Sequence, residues 1–157
     1  MNRHAPFLAL IAGLVALDQV SKAVVVKTIP FYGHANVIPG FFAISHIHNK
    51  GAIFGAFSQS GSPLVAIGLV AAQLFALAMV LIYFLKTAPA QKGMKLALSL
   101  ILAGALGNFI DRIARGYVID FLEFHAGRIY FPTFNAADSC ITIGALFLVL
   151  IFFIRRP

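Results

Sequence analysis

Charge is scarce in this chain of 157 residues: Asp, Glu, Lys and Arg together make up 11%, where an ordinary soluble domain carries about 25%. Hydrophobic residues reach 61%, and the mean hydropathy is +0.93. That balance excludes a disordered chain, a collagen-like chain and an ordinary soluble enzyme, and it leaves an integral membrane protein. Cysteine is nearly absent. The single Cys140 lies in an apolar run with no intramolecular disulfide partner, so the redox compartment is not legible from it. A basic stripe interleaved with surface aromatics is also missing, although the net charge is +7. The Lys and Arg residues are scattered around apolar runs. They read as loop charges that orient a membrane protein and attract membrane lipid, so no nucleic-acid partner is expected. There is no internal repeat and no low-complexity segment. There is no Gly-x-Ser-x-Gly elbow, and Cys140 has no histidine near it in sequence.

What is present is long apolar runs. A spanning helix needs about 20 mostly apolar residues, and four segments qualify: 6–26, 63–85, 96–112 and 136–154. The second is the cleanest, with Gln73 its one strongly polar residue. The first follows Arg3 and His4 as a signal peptide would, but Asp18, Gln19, Ser21 and Lys22 come after its apolar part with no small-residue cleavage pattern. A retained helix is expected. The fold class is therefore membrane all-α, four transmembrane helices in a single domain over 1–157. Two longer connections, 27–62 and 113–135, are too aromatic and β-branched to be linkers. Segments 41–54 and 128–134 read as short strands, punctuated by Pro and Gly, so a small outward-facing β platform is expected on the outer leaflet.

Lys86, Lys92 and Lys95 crowd the short connection after the second span, with Arg3 before the first and Arg155 and Arg156 after the fourth. Four spans put these on one side, and the positive-inside rule makes that side the cytoplasm. Both termini are then cytoplasmic.

Under that topology all five acids, Asp18, Asp111, Asp120, Glu123 and Asp138, fall in the outer half of the membrane or just above it. Ionisable groups inside a bilayer are costly and by default mark function. Each also has a structural reading. Asp18 and Lys22 are spaced i, i+4 for a helix-face ion pair. Gly104, Asn108 and Asp111 share a face of the third helix, where a small residue permits close packing and Asn bonds across helices; Asp111 and Arg112 also fit as interfacial charges. Asn135 and Asp138 fit the N-cap and N3 positions of the fourth helix. Asp120, flanked by apolar residues, is costly to leave unpaired. His46 and His48 share a strand face, but no third ligand stands at recognisable spacing, so no metal is expected. The surviving chemistry is a pair of aspartates, Asp120 and Asp138. One of two close carboxylates keeps a proton; the ionised one activates water while the other polarises a carbonyl and protonates the leaving amine. Spacing alone does not bring them together. A small proton-coupled transporter would also place acids and Asn in the membrane, though normally near the midplane.

Five blocks carry a resemblance. They are Asp18-Gln19-Val20-Ser21-Lys22, Asn49-Lys50-Gly51-Ala52-Ile53-Phe54-Gly55, Gly104-Ala105-Leu106-Gly107-Asn108-Phe109-Ile110-Asp111-Arg112, Gly116-Tyr117-Val118-Ile119-Asp120-Phe121, and Phe131-Pro132-Thr133-Phe134-Asn135-Ala136-Ala137-Asp138. In this order the sequence closely resembles the bacterial lipoprotein signal peptidase family, signal peptidase II. The resemblance implies an aspartyl peptidase of the bacterial inner membrane, with its active site toward the periplasm. It would cut prolipoproteins just before a diacylglyceryl-modified cysteine. Peptide hydrolysis by two carboxylates needs no cofactor, and a monomer is expected, although the oligomeric state is not legible in the sequence. The family's catalytic aspartates fall on Asp120 and Asp138. Its substrate-binding or supporting residues fall on Asp18, Lys22, Asn49, Gly51, Asn108, Arg112, Asn135 and Ala136. Two departures stand out. Lys50 and Ile53 replace a Thr and an Ala common in the second block, and Ile119 replaces a Val in the fourth. Neither touches a catalytic position, but Lys50 charges a loop expected to border substrate.

Overall fold

The computed structural model describes residues 4–51, 62–127 and 129–154. Arg3, Ile53, Arg128, Arg155 and Arg156 lie outside them. The elements run α1 (Ala5–Thr28), β1 (His34–Ile38), β2 (Phe42–Asn49), α2 (Pro63–Lys86), α3 (Lys92–Arg115), β3 (Val118–Ala126), β4 (Ile129–Tyr130) and α4 (Ala136–Ile154). All four helices are long and apolar enough to cross a membrane. Proline in the first turns of α1 and α2 suits positions whose N–H has no intrahelical acceptor. Gly116 ends α3 at φ 78°, a left-handed cap that turns the chain into β3.

Helix α3 is the centre of the bundle and packs against α1, α2 and α4. Its contact with α4 depends on missing side chains. A Cβ at Gly104 would overlap the Ala137 carbonyl oxygen, and one at Gly144 would lie 2.7 Å from that of Ala97. Small residues thus let the two backbones approach, as in other membrane helix pairs. Ile11, Phe84, Met94, Leu98, Leu102 and Ala103 form the apolar core away from the sheet. Helix α2 presents Leu64, Ile67, Leu74 and Phe75 outward, as a lipid-facing helix should. Its Gln73 is satisfied inside the protein, donating to Ala105 O at 3.1 Å.

Beside the helix ends lies an antiparallel sheet in the order β1-β2-β3-β4. Val25, Ile119 and Phe121 bury its base against α1. The sheet differs from the expected one. The 41–54 strand is β2, ending at Asn49, and the 128–134 strand shrinks to Ile129–Tyr130, with Phe134 only bridging to Leu122. The nine-residue β3 falls where no strand was expected. Its first four residues are all buried, so it lacks the in–out alternation by which a half-buried strand is recognised. The third span is also longer at both ends than 96–112. Lys92 and Lys95 belong to its first turn, and Lys95 is wholly buried, donating to the Phe84 carbonyl at the end of α2.

Candidate active site

Asn135 and Asp138 form the expected cap. Asn135 Oδ1 accepts the Asp138 N–H at 2.9 Å, and Asp138 Oδ2 accepts the Asn135 N–H at 3.2 Å, a reciprocal capping box. The cap also belongs to a wider array. Asn108 Nδ2, from α3, donates to Asp138 Oδ1 at 2.8 Å. Asn135 Nδ2 donates to Asp120 Oδ1 at 2.8 Å. Asn49 Nδ2 approaches Asp120 from β2 and donates to Oδ2 at 2.9 Å. The structural and chemical readings of Asp138 are therefore compatible. Its carboxylate closes the helix end and shares Asn135 with Asp120, taking the backbone N–H while Asp120 takes the side-chain NH₂.

Asn49 is held by its own turn, since its Oδ1 accepts the Gly51 N–H at 2.9 Å. Arg112 pins that turn by donating to Gly51 O at 2.8 Å, and donates also to Gln73 Oε1 at 3.0 Å. Lys50, Arg112 and Gly116 line a cavity of about 420 Å³ together with Ile67, Val70 and Leu74 of α2. Ala136 packs on the Val25–Ile119–Phe121 cluster.

Below the carboxylates lies a buried ionic array. Lys22 Nζ sits 2.8 Å from Asp18 Oδ2, 2.8 Å from Asp111 Oδ2 and 3.0 Å from Asn108 Oδ1. The i, i+4 pair is present, but Asp111 is not an interfacial charge. It is fully buried between Lys22 and Arg115, because the α1–α3 contact turns it inward. Asp18 Oδ1 accepts the Ala137 N–H at 3.0 Å, so α1 also fixes the first turn of α4. Gln19 joins this array by donating to the Gly107 carbonyl at 3.1 Å and to Asp111 Oδ1 at 3.3 Å, so Gln19, Gln73, Asp111 and Arg115 all contact the array or its neighbours although the resemblance assigns them no role. The local signals for them are Gln73 as the polar residue of an apolar span, Asp111 as an acid within one, and the i, i+4 spacing of Asp111 and Arg115.

Burial first, and then the Asp138 carboxylate, push Asp120 up to about 7, against hydrogen bonds from Asn49 and Asn135 that favour its charge. The folded chain therefore binds this proton more tightly than the unfolded chain. The stability it contributes is full below about pH 4, the ordinary range of the group, and is lost as pH rises through about 7. Asp120→Asn is expected to flatten that decline in denaturant unfolding measured across this window; an unchanged slope would assign it to other groups.

Elsewhere on the sheet, His46 and His48 do share a face, their Nε2 atoms 3.0 Å apart. Among the described residues no group of three or more His, Cys, Asp or Glu is placed to hold a metal ion.

This geometry can be set beside known proteins. The family model for Signal peptidase (SPase) II matches residues 10–154. Lipoprotein signal peptidases of Burkholderia ambifaria and Burkholderia mallei are each 41% identical over 149 residues, covering 92% of this chain and 86% of theirs. A bacterial membrane enzyme solved by the in meso method at 2.3 Å resolution superposes with a TM-score of 0.84 at 32% identity, over 95% of this chain and 88% of that one. A second, at 1.9 Å, gives the same TM-score and identity over 97% and 95%. The match begins within α1 and ends with α4, and so takes in every polar side chain gathered around Asp120 and Asp138: the chain belongs to the signal peptidase II family.

Proposed function

We propose that this chain is an aspartyl endopeptidase that removes signal peptides from diacylglyceryl-modified prolipoproteins at the outer face of the bacterial inner membrane. The observation that carries the reading is the Asn135 bridge, which donates to Asp120 from its side chain and to Asp138 from its backbone. A buried carboxylate and a half-buried one, tied to one residue, share a proton at neutral pH. Asp138, at a helix N-terminus, takes the charged role and activates water. Asp120, with its elevated proton affinity, polarises the scissile carbonyl and then delivers its proton to the leaving amine. The two exchange roles during the turnover. The lipid tails of the substrate stay in the bilayer, which holds the scissile bond at the interface where water is available. The chain is taken to act as a monomer, and the scheme calls on no cofactor.

The transporter alternative is not supported: the family and the relatives are peptidases. The direct test is incubation of purified protein with a lipid-modified prolipoprotein. A shortened product is expected, and an unchanged one would overturn the reading.

Asn108 accepts from Lys22 and Asn135 and donates to Asp138. Asn108→Ala leaves those buried groups short of a partner, at about 1–3 kcal/mol. Strongly reduced cleavage by a membrane-inserted protein is expected; normal turnover would make Asn108 a packing residue only.

Lys86 and Lys92, at the helix ends away from the sheet, support an outward-facing sheet by the positive-inside rule. A cysteine at exposed Asn36 of β1, in a Cys140→Ser background, is expected to react with an impermeant maleimide added to the periplasmic side. Labelling only from the cytoplasm would reverse the topology.

A further inference from the structure

Strand β2 gains one residue over its partner between Ile44 and Ile47, which face Leu122 and Asp120. Such a bulge re-aims side chains, and here it accompanies a histidine pair that the peptidase scheme does not use. His46 is 4% exposed, and its Nδ1 lies 2.8 Å from the Ile29 carbonyl oxygen at the end of α1. A carbonyl only accepts, so Nδ1 carries the hydrogen and, in the neutral ring, Nε2 presents a bare lone pair. That lone pair faces His48 Nε2 at 3.0 Å. The His48 ring is clamped on both faces, stacked on Tyr117 at 3.7 Å and on Phe31 at 4.1 Å between centroids.

We propose that His46 and His48 form a two-imidazole binding site for a borderline divalent transition ion such as Zn²⁺ or Cu²⁺. Three features support it. Metal–imidazole bonds of about 2.0–2.1 Å at tetrahedral or square angles place two nitrogens about 2.8–3.4 Å apart, and the observed 3.0 Å lies in that interval. The Ile29 carbonyl orients His46 as an outer partner orients a metal-bound histidine. The stacked rings fix His48 before any ion arrives, which reduces the ordering that binding requires. An ion would lie to one side of the line between the two Nε2 atoms, about 2.0–2.1 Å from each, and displace the single hydrogen held there, with His48 then carrying its own hydrogen on Nδ1. Imidazole selects Zn²⁺, Cu²⁺ or Ni²⁺ over the oxygen-seeking Mg²⁺ and Ca²⁺. With two protein ligands the remaining positions go to water, so the ion is exchangeable. It would brace the end of α1 against the strand that carries Asn49.

The chain has five histidines, so the triple variant H4Q/H34Q/H125Q retains the pair alone. Cu²⁺ titrated into this protein, without a histidine tag, is expected to give an electron paramagnetic resonance spectrum with two coupled imidazole nitrogens. Zn²⁺ added to the copper-free protein should raise the thermal unfolding midpoint, and Cu²⁺, the tighter ion, should displace it. Adding His48→Gln, a half-exposed position that leaves the His46–Ile29 bond in place, should weaken Cu²⁺ by about 100-fold, since even outer partners of metal ligands are worth 10–100-fold. A one-nitrogen spectrum, or an affinity that His48→Gln leaves within about twofold, would overturn the site. Neither readout depends on peptide cleavage.

Discussion

Asp120→Asn and Asp138→Asn are each expected to lower cleavage of a diacylglyceryl prolipoprotein by about 10³-fold or more, and the double variant to be little worse than either. The reason is proton transfer. Each carboxyl passes between charged and neutral forms during turnover, which an amide cannot do. The structure adds a second effect. Both oxygens of Asp120 accept, from Asn135 and Asn49, and the NH₂ of an introduced Asn would face one of those donors. Neither neighbour turns freely, because Asn49 Oδ1 holds the Gly51 N–H and Asn135 Oδ1 holds the Asp138 N–H. A protonated carboxyl avoids this conflict, since its hydroxyl oxygen still accepts. Asp120→Asn is therefore expected to loosen the site as well as silence it, so membrane insertion and thermal unfolding should be measured beside cleavage. Substantial turnover by either single variant in a folded protein would remove that residue from the mechanism. For Asp138 it would leave only the helix cap.

The largest stability effect is expected at Lys22. Its ammonium is fully buried and lies 2.8 Å from both Asp18 and Asp111. Lys22→Met keeps the aliphatic stem and leaves two buried carboxylates without their shared cation. Breaking a buried ion pair from one side costs about 3–5 kcal/mol, read as an earlier unfolding midpoint in mild detergent. Neutralising the orphans should restore part of it, so Lys22→Met with Asp18→Asn and Asp111→Asn is expected to be more stable than Lys22→Met alone. Cleavage should fall too, because Lys22 holds Asn108 and Asp18 holds the first turn of α4. A Lys22→Met protein that unfolds at the wild-type midpoint would show that the array contributes no net stability.

Hydropathy over a span depends only on the residues in that span, so the sequence by itself determined the four helices and placed their boundaries within a few residues. It determined the Asp18–Lys22 pair and the Asn135–Asp138 cap for the same reason: i, i+4 and i, i+3 contacts form within one helix or at its end, whatever it packs against. The motif blocks likewise named Asp120, Asp138 and the asparagines as one set. Only the tertiary structure decided how that set meets. Asp120 reaches Asn49 because β2 and β3 pair antiparallel, and reaches Asn135 because β3 runs beside the start of α4. Strand β3 itself is not legible in the sequence, because burial at its start erases the alternation that marks a strand. Asp111 turned from an interfacial charge into the second partner of Lys22 because α3 packs into α1, and the close α3–α4 contact that brings Asn108 to Asp138 needs the bare backbone of Gly104 and Gly144. His46 and His48 were a shared strand face in the sequence; the bulge in β2, the Ile29 carbonyl and the rings of Phe31 and Tyr117 set their nitrogens face to face. Contacts of this kind join residues as far as 119 positions apart, as between Asp18 and Ala137, and a distance of that order leaves no period or spacing in the chain from which packing could be read.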